Sequence, residues 1–205
     1  KLLFEYRSFA QSFGKTELIM REFAASISPT ESYDYYILSE CNETYNILIR
    51  NGKLIIKELI SKGAGLEKWN VNYSEQFPLS KDFIEEAFFP AIGLQSPALE
   101  RNMYQTIDFI EEIVNTDPDI KMVEVYKKKY EFIYKNCNCE LAENLINSAF
   151  IKTLNIESEA IENVNAVIQE FGIEKAFPNV NYVTKIKQII GLIRLNEYKL
   201  LPIKP

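Results

Sequence analysis

Between Tyr45 and Leu59 two runs of alternating side chains, YNILIR and KLIIKEL, meet at Asn51-Gly52. Asn-Gly is the strongest short-range hairpin signal, because both central residues of a type I′ turn need positive φ and these two tolerate it. A two-residue loop also fixes register, so Arg50 faces Lys53, Leu48 faces Ile55 and Asn46 faces Lys57. Residues paired across a ladder share a face. One face therefore carries Asn46, Leu48, Arg50, Lys53, Ile55 and Lys57, and the other carries Tyr45, Ile47, Ile49, Leu54, Ile56 and Glu58. The second is a core face. The first sets Arg50 against Lys53, which is mildly unfavourable unless water, carboxylates or an anionic ligand screens the two cations.

The same partition recurs along the chain. In LLFEYRSFA, Leu3, Glu5, Arg7 and Phe9 share a side, and in KMVEVYKKKYEF, Lys127, Lys129 and Glu131 do. In FIKTLNIESE, Thr153, Asn155, Glu157 and Glu159 line up together. The Tyr-rich SYDYYILS reads as a further strand of sheet core and rim. Helical spacing appears over Thr16–Ala25, over KDFIEEAFF behind a Ser80 N-cap, and again after Ser96-Pro97, where Leu99, Met103, Ile107, Ile110 and Val114 form a stripe. The segment CELAENLINSA has no clear pattern. Two closing helices are expected, Ile161 to Phe171 ending at Gly172 and Thr184 to Ile190 ending at Gly191.

A chain of 205 residues buries one good core, which predicts a single domain over 1–205 with a helical insertion at about 78–118. A net charge of −6 and a pI near 5.0 speak against a nucleic-acid binder that works through a broad basic surface. No apolar run reaches the roughly 20 residues of a bilayer span. The opening KLLFEYRSF is too charged for a secretory segment, so no membrane role and a cytoplasmic location are expected. Cys41, Cys137 and Cys139, an odd set, fit a reducing compartment. With no histidine in the chain, Ser-His and Cys-His nucleophiles are excluded and a tetrahedral N/S metal site lacks ligands. Chemistry is left to carboxylates, lysines, arginines, tyrosines or a hard metal ion held by oxygen.

Two architectures produce this alternation. An antiparallel sheet with one solvated face is the simpler. Alternatively the helical stripes cover the apolar faces from outside, and the strands close with their polar faces inward. Charges enclosed that way must be paired, hydrated or bound to a ligand.

These residues resemble the CYTH superfamily, the triphosphate tunnel metalloenzymes that include class IV adenylate cyclases, thiamine triphosphatases and inorganic triphosphatases. The likeness lies in Leu3-Phe4-Glu5-Tyr6-Arg7, which matches the E-x-E-x-K signature in part, the basic pair LIRNGKLIIK, Lys127-Lys128-Lys129, the acidic IESE and the closing NVNYVTKIKQIIG. The resemblance implies an α+β fold: a closed antiparallel eight-stranded β-barrel with a polar interior, covered by peripheral helices. It implies that Arg7, Arg50, Lys53, Lys57, Lys127 and Lys129 bind phosphate, and that Glu5, Glu157 and Glu159 hold Mg²⁺ or Mn²⁺. The partner would be a small phosphorylated anion such as a triphosphate or nucleotide, and a homodimer is one assembly compatible with the chain. Leu3 stands where the family has its first glutamate, Arg7 where it has lysine, and Lys129 where it often has arginine.

Three roles follow: a metal-dependent phosphohydrolase, an anion-binding module without turnover, and an interaction protein whose charged faces meet only water. Trp69 reads as a packing anchor rather than a base-stacking platform. Alternation splits Lys127 to Lys129 between two faces, which argues against a polybasic membrane patch.

Overall fold

The structure, a computed structural model, describes residues 2–25, 27–173 and 177–193. Its strands are β1 (Leu3–Ala10), β2 (Thr30–Leu38), β3 (Tyr45–Arg50), β4 (Lys53–Gly63), β5 (Leu66–Gln76), the short β6 (Leu79–Ser80) and β7 (Met103–Tyr104), then β8 (Lys121–Tyr134), β9 (Cys137–Ile146) and β10 (Ala149–Ser158). Eight of them close into an antiparallel barrel in the order β1-β10-β9-β8-β2-β3-β4-β5, with β5 returning to β1. Closure, not an open sheet with one wet face, is how this chain uses its alternating strands.

Four hairpins build most of the barrel, each through two residues of positive φ: Asn51-Gly52, Ala64-Gly65, Lys135-Asn136 and Asn147-Ser148. This backbone twist matches the twist of the flanking strands. Across the first turn Arg50 pairs with Lys53, Leu48 with Ile55 and Asn46 with Lys57, the register expected from the sequence.

Helices cover the outside. The outward Ile47, Ile49, Leu54 and Ile56 pack on Ile84, Phe88, Phe89, Phe109 and Ile113 of the segment that joins β5 to β8. This segment holds α2 (81–92) and α3 (106–114), each widened by one turn, as where Asn115 N donates to Ile110 O at 2.8 Å. On the opposite flank α1 (Gly14–Phe23) and α4 (Ile161–Glu170) cover Tyr6, Leu141, Leu154 and Ile156 through Met20, Val164 and Val167. At roughly 1.5–3 kcal/mol per buried aliphatic side chain, these two layers supply much of the drive to fold.

A third apolar cluster lies inside the barrel. The inward Tyr36, Leu38, Leu48, Val123, Val125 and Ile146 pack on Tyr182, Val183 and Ile186 of α5 (Tyr182–Ile189). The chain reaches that position along β1. β5 pairs with β1 only at Leu3–Glu5; beyond it, Arg7 N donates to Asn179 Oδ1 at 2.9 Å and Arg7 O accepts from Val180 N at 2.7 Å. Lys187 Nζ then donates to the carbonyls of Glu40 and Asn42 in the loop between β2 and β3. The helix thus plugs one end of the barrel.

Three local readings need correction. No helix starts at Ser96: Met103–Tyr104 is extended and pairs with Leu79–Ser80, and α3 begins at Thr106 behind a capping box of Gln105 and Asp108. Met103 and Ile107, placed on a buried stripe by their spacing, are exposed. CELAENLINSA, without a clear pattern in sequence, lies almost wholly in β9, and β5 adds a strand that sequence reading did not identify. Among the described residues no helix is long and apolar enough to cross a membrane.

Candidate functional site

Above the plug the barrel encloses a cavity of about 360 Å³, within the range of small-molecule sites. Depth is recorded along β8. Val125 belongs to the plug cluster, and side-chain exposure then climbs from 4% at Lys127 to 18% at Lys129 and 52% at Glu131. The cavity therefore opens at the end marked by the Asn51-Gly52 and Lys135-Asn136 turns. Strand alternation delivers Arg7 from β1, Arg50 from β3, Lys57 from β4, and Lys127 and Lys129 from β8 to its wall. Glu5, Glu131, Glu140 and Glu157 share that wall.

The charges are organised into pairs. Asp34, fully buried on β2, accepts from Arg50 Nε at 2.6 Å and Nη2 at 2.5 Å, and from Lys127 Nζ at 2.6 Å. Burial pushes the Asp34 carboxyl up, but Arg50 and Lys127 outweigh it and hold its pKa down to about 2. Burial also pulls the Lys127 ammonium down to about 7, against the attraction of Asp34. The Lys127 ammonium lies 3.8 Å from the Tyr182 ring centroid and donates to Tyr36 Oη at 2.8 Å. Arg7 donates from Nε to Glu5 Oε1 at 2.7 Å and from Nη1 to Glu140 Oε1 at 3.1 Å. Burial raises the Glu140 carboxyl, while Arg7, Lys127 and Lys129 together draw it below its ordinary value. Lys129 reaches Glu131 at 3.2 Å, and Lys57 is the lining cation without an ion pair among the described residues.

Two amide oxygens of the wall, Asn46 Oδ1 and Asn155 Oδ1, are buried with no hydrogen-bond partner among the described residues. Buried acceptors are ordinarily satisfied, so the cavity is a place for water or a hydrogen-bonding ligand rather than for apolar fill.

Of the residues expected at the site, Glu5, Arg7, Arg50, Lys57, Lys127, Lys129 and Glu157 meet on the cavity wall. Lys53 does not; it is exposed beside the turn. Glu159 is exposed too and borders a separate surface groove with Glu157 and Asn163. Carboxylate oxygens are the donors that Mg²⁺ and Mn²⁺ prefer. Glu5 and Glu157 are cross-strand neighbours, but Glu5 is engaged by Arg7, and Glu157 Oε1 accepts from Asn138 Nδ2 at 3.2 Å. Among the described residues no three acidic or thiol side chains gather as metal ligands would. The expected trio does not fit a divalent ion in this arrangement.

Asp34, Glu140, Tyr36, Tyr182 and Asn181 escaped sequence reading. Asp34 had a signal: in SYDYYIL alternation puts it on the face of Tyr36, a lone carboxylate amid aromatic strand residues. Trp69 is packed as expected, with Nε1 donating to Glu67 Oε2 at 3.1 Å, and it also borders the cavity.

No protein-family model matches the sequence, and no curated protein matches it either. Solved structures do match the fold. The PH1012 protein from Pyrococcus horikoshii OT3 superposes with a TM-score of 0.51 at 13% identity, covering 89% of this chain and 98% of that one. An adenylate cyclase candidate from Bacillus halodurans gives 0.50 at 13% identity over 88% and 95% of the two chains. HpAC1 from Hippeastrum, described as an adenylyl cyclase candidate with a dominant triphosphatase activity, gives 0.50 at 11% identity over 92% and 96%. At these identities the likeness is one of architecture, and at that level the fold expected from the sequence holds: the chain has a closed antiparallel eight-stranded barrel like theirs.

Proposed function

We propose that this chain binds the phosphate chain of a small triphosphate-bearing anion inside its barrel. The observation that carries the reading is the convergence of Arg7, Arg50, Lys57, Lys127 and Lys129, from four strands, on one cavity that holds unsatisfied polar atoms. Lys57, half-buried and without an ion pair among the described residues, is the natural first contact for an incoming phosphate oxygen. Arg7, Arg50 and Lys129 line the path, and the deep Lys127, closed off by Tyr182, receives the terminal group. Charge-assisted hydrogen bonds to phosphate are roughly twice as strong as neutral ones, and the low dielectric of the cavity strengthens them further. We read the chain as one CYTH-like domain with the 78–118 segment as its insertion.

A second reading adds hydrolysis, favoured by the fold shared with HpAC1 and its triphosphatase activity. Phosphoryl transfer demands little covalent help from a protein, so positioned cations are a large part of what such a reaction needs. Titration calorimetry with tripolyphosphate tests binding, and phosphate release from tripolyphosphate, ATP and thiamine triphosphate tests turnover. Saturable binding abolished by the double substitution Lys57→Ala, Lys129→Ala is expected. Absence of binding to every one of these anions contradicts the reading, and binding without release separates the module from the enzyme.

A further inference from the structure

Tunnel carboxylates have two opposite jobs available: to hold a cation that accompanies the phosphate, or to neutralise the tunnel's own cations until the phosphate arrives. The two leave different geometry. Metal ligands gather around a common point and keep protein cations out of their first contact. Counterions are dispersed, each against an arginine or lysine.

Here, apart from Glu157, which accepts from Asn138, they are dispersed. Glu5 and Glu140 flank Arg7 from different strands, at 2.7 and 3.1 Å. Asp34 sits between Arg50 and Lys127, and Glu131 lies beside Lys129. Every lining cation except Lys57 is thus matched from within. Leu3, on the same strand face as Glu5 and Arg7, supplies no oxygen to a metal centre, and Glu159 lies outside the cavity. We infer that the cavity carboxylates are exchangeable counterions and that the phosphate chain binds free of metal, taking Arg7 from Glu5 and Lys129 from Glu131 as it enters. This deepens the phosphate-binding reading and rests on it.

The roles differ in the sign of one substitution. A counterion competes with the ligand, so Glu5→Gln removes a negative charge close to the bound anion and tightens binding on the order of fivefold. A metal ligand helps the anion, so the same change weakens binding by about tenfold or more. Calorimetry with sodium tripolyphosphate, in EDTA and in excess Mg²⁺, compares wild type, Glu5→Gln and Glu157→Gln, with circular dichroism checking the fold of each. Glu157 is the cross-strand neighbour of Glu5 and among the described residues takes a hydrogen bond from Asn138 rather than an ion pair, so removing its charge tests the same sign should Glu5→Gln misfold. Binding that persists in EDTA and tightens in the variants is expected. Binding that requires Mg²⁺, or weakens in either folded variant, overturns the inference while leaving phosphate binding intact. No binding by wild type in either condition removes the phosphate reading itself, and this inference with it.

Discussion

Asp34→Asn is the substitution with the most to say about how the cavity is held together. Asp34 is wholly buried and takes two hydrogen bonds from Arg50 and an ion pair from Lys127. The amide keeps the shape, removes the charge and turns a donor toward two cations. Breaking a buried ion pair from one side costs about 3–5 kcal/mol, because the other side is left uncompensated. Arg50 is one-third exposed and can recover some hydration, so the low end, about 3 kcal/mol, is expected. With a urea slope near 2 kcal/mol/M, the unfolding midpoint falls by about 1.5 M. The pH dependence gives a second reading of the same group. Its pKa is held from 3.8 down to about 2. Folding therefore favours the ionised form: the stabilisation is present above about pH 4 and is lost as pH falls through 2. That difference corresponds to about 2 kcal/mol, and the variant should lack this part of the acid loss. Saturating tripolyphosphate should return part of the lost stability by engaging Arg50 and Lys127. A midpoint within about 0.25 M of wild type would refute the ion-pair reasoning.

Lys127 faces Asp34 and Tyr36 on β2, Arg50 on β3, Glu140 on β9 and Tyr182 on α5, and burial brings its pKa to about 7. It carries its charge below that value and loses it above, so calorimetric affinity for tripolyphosphate should fall about tenfold between pH 6 and 8.5, and Lys127→Met should flatten that profile. Ile186 is fully buried in the plug cluster, so Ile186→Ala should cost about 3 kcal/mol in urea unfolding, and a loss under about 1 kcal/mol would mean that α5 is not packed in the barrel. Cys41 is exposed whereas Cys137 and Cys139 are buried, with burial pushing the Cys139 thiol up to about 12. Native protein should therefore react at one thiol with a disulfide reagent and at three only after unfolding.

Legibility in the sequence tracked the strength of local turn chemistry. Asn51-Gly52 announced itself, and the register that followed from it was the one found. The turns at Lys135-Asn136 and Asn147-Ser148 adopt the same positive φ without glycine, so the strand between them, with Glu140 on it, had no punctuation at either end. Ala64-Gly65 likewise gave little warning of β5. The stripe from Leu99 to Val114 shows how spacing alone misleads: Leu99 and Val114 are buried, but an extended segment and a late capping box separate them. Periodicity could show that polar faces point together. It could not show that Asp34 would pair with Arg50 across β2 and β3, nor that α5 would enter the barrel, because both depend on closure.

The most direct measurement is a crystal structure of the protein grown with tripolyphosphate. Phosphate density is expected inside the barrel, within hydrogen-bond reach of Arg7, Lys57 and Lys129, with its inner end toward Lys127 and Tyr182. A barrel that stays empty at saturating anion, or phosphate found only on the outer surface, would contradict the central claim that these cations converge in order to hold a phosphate chain.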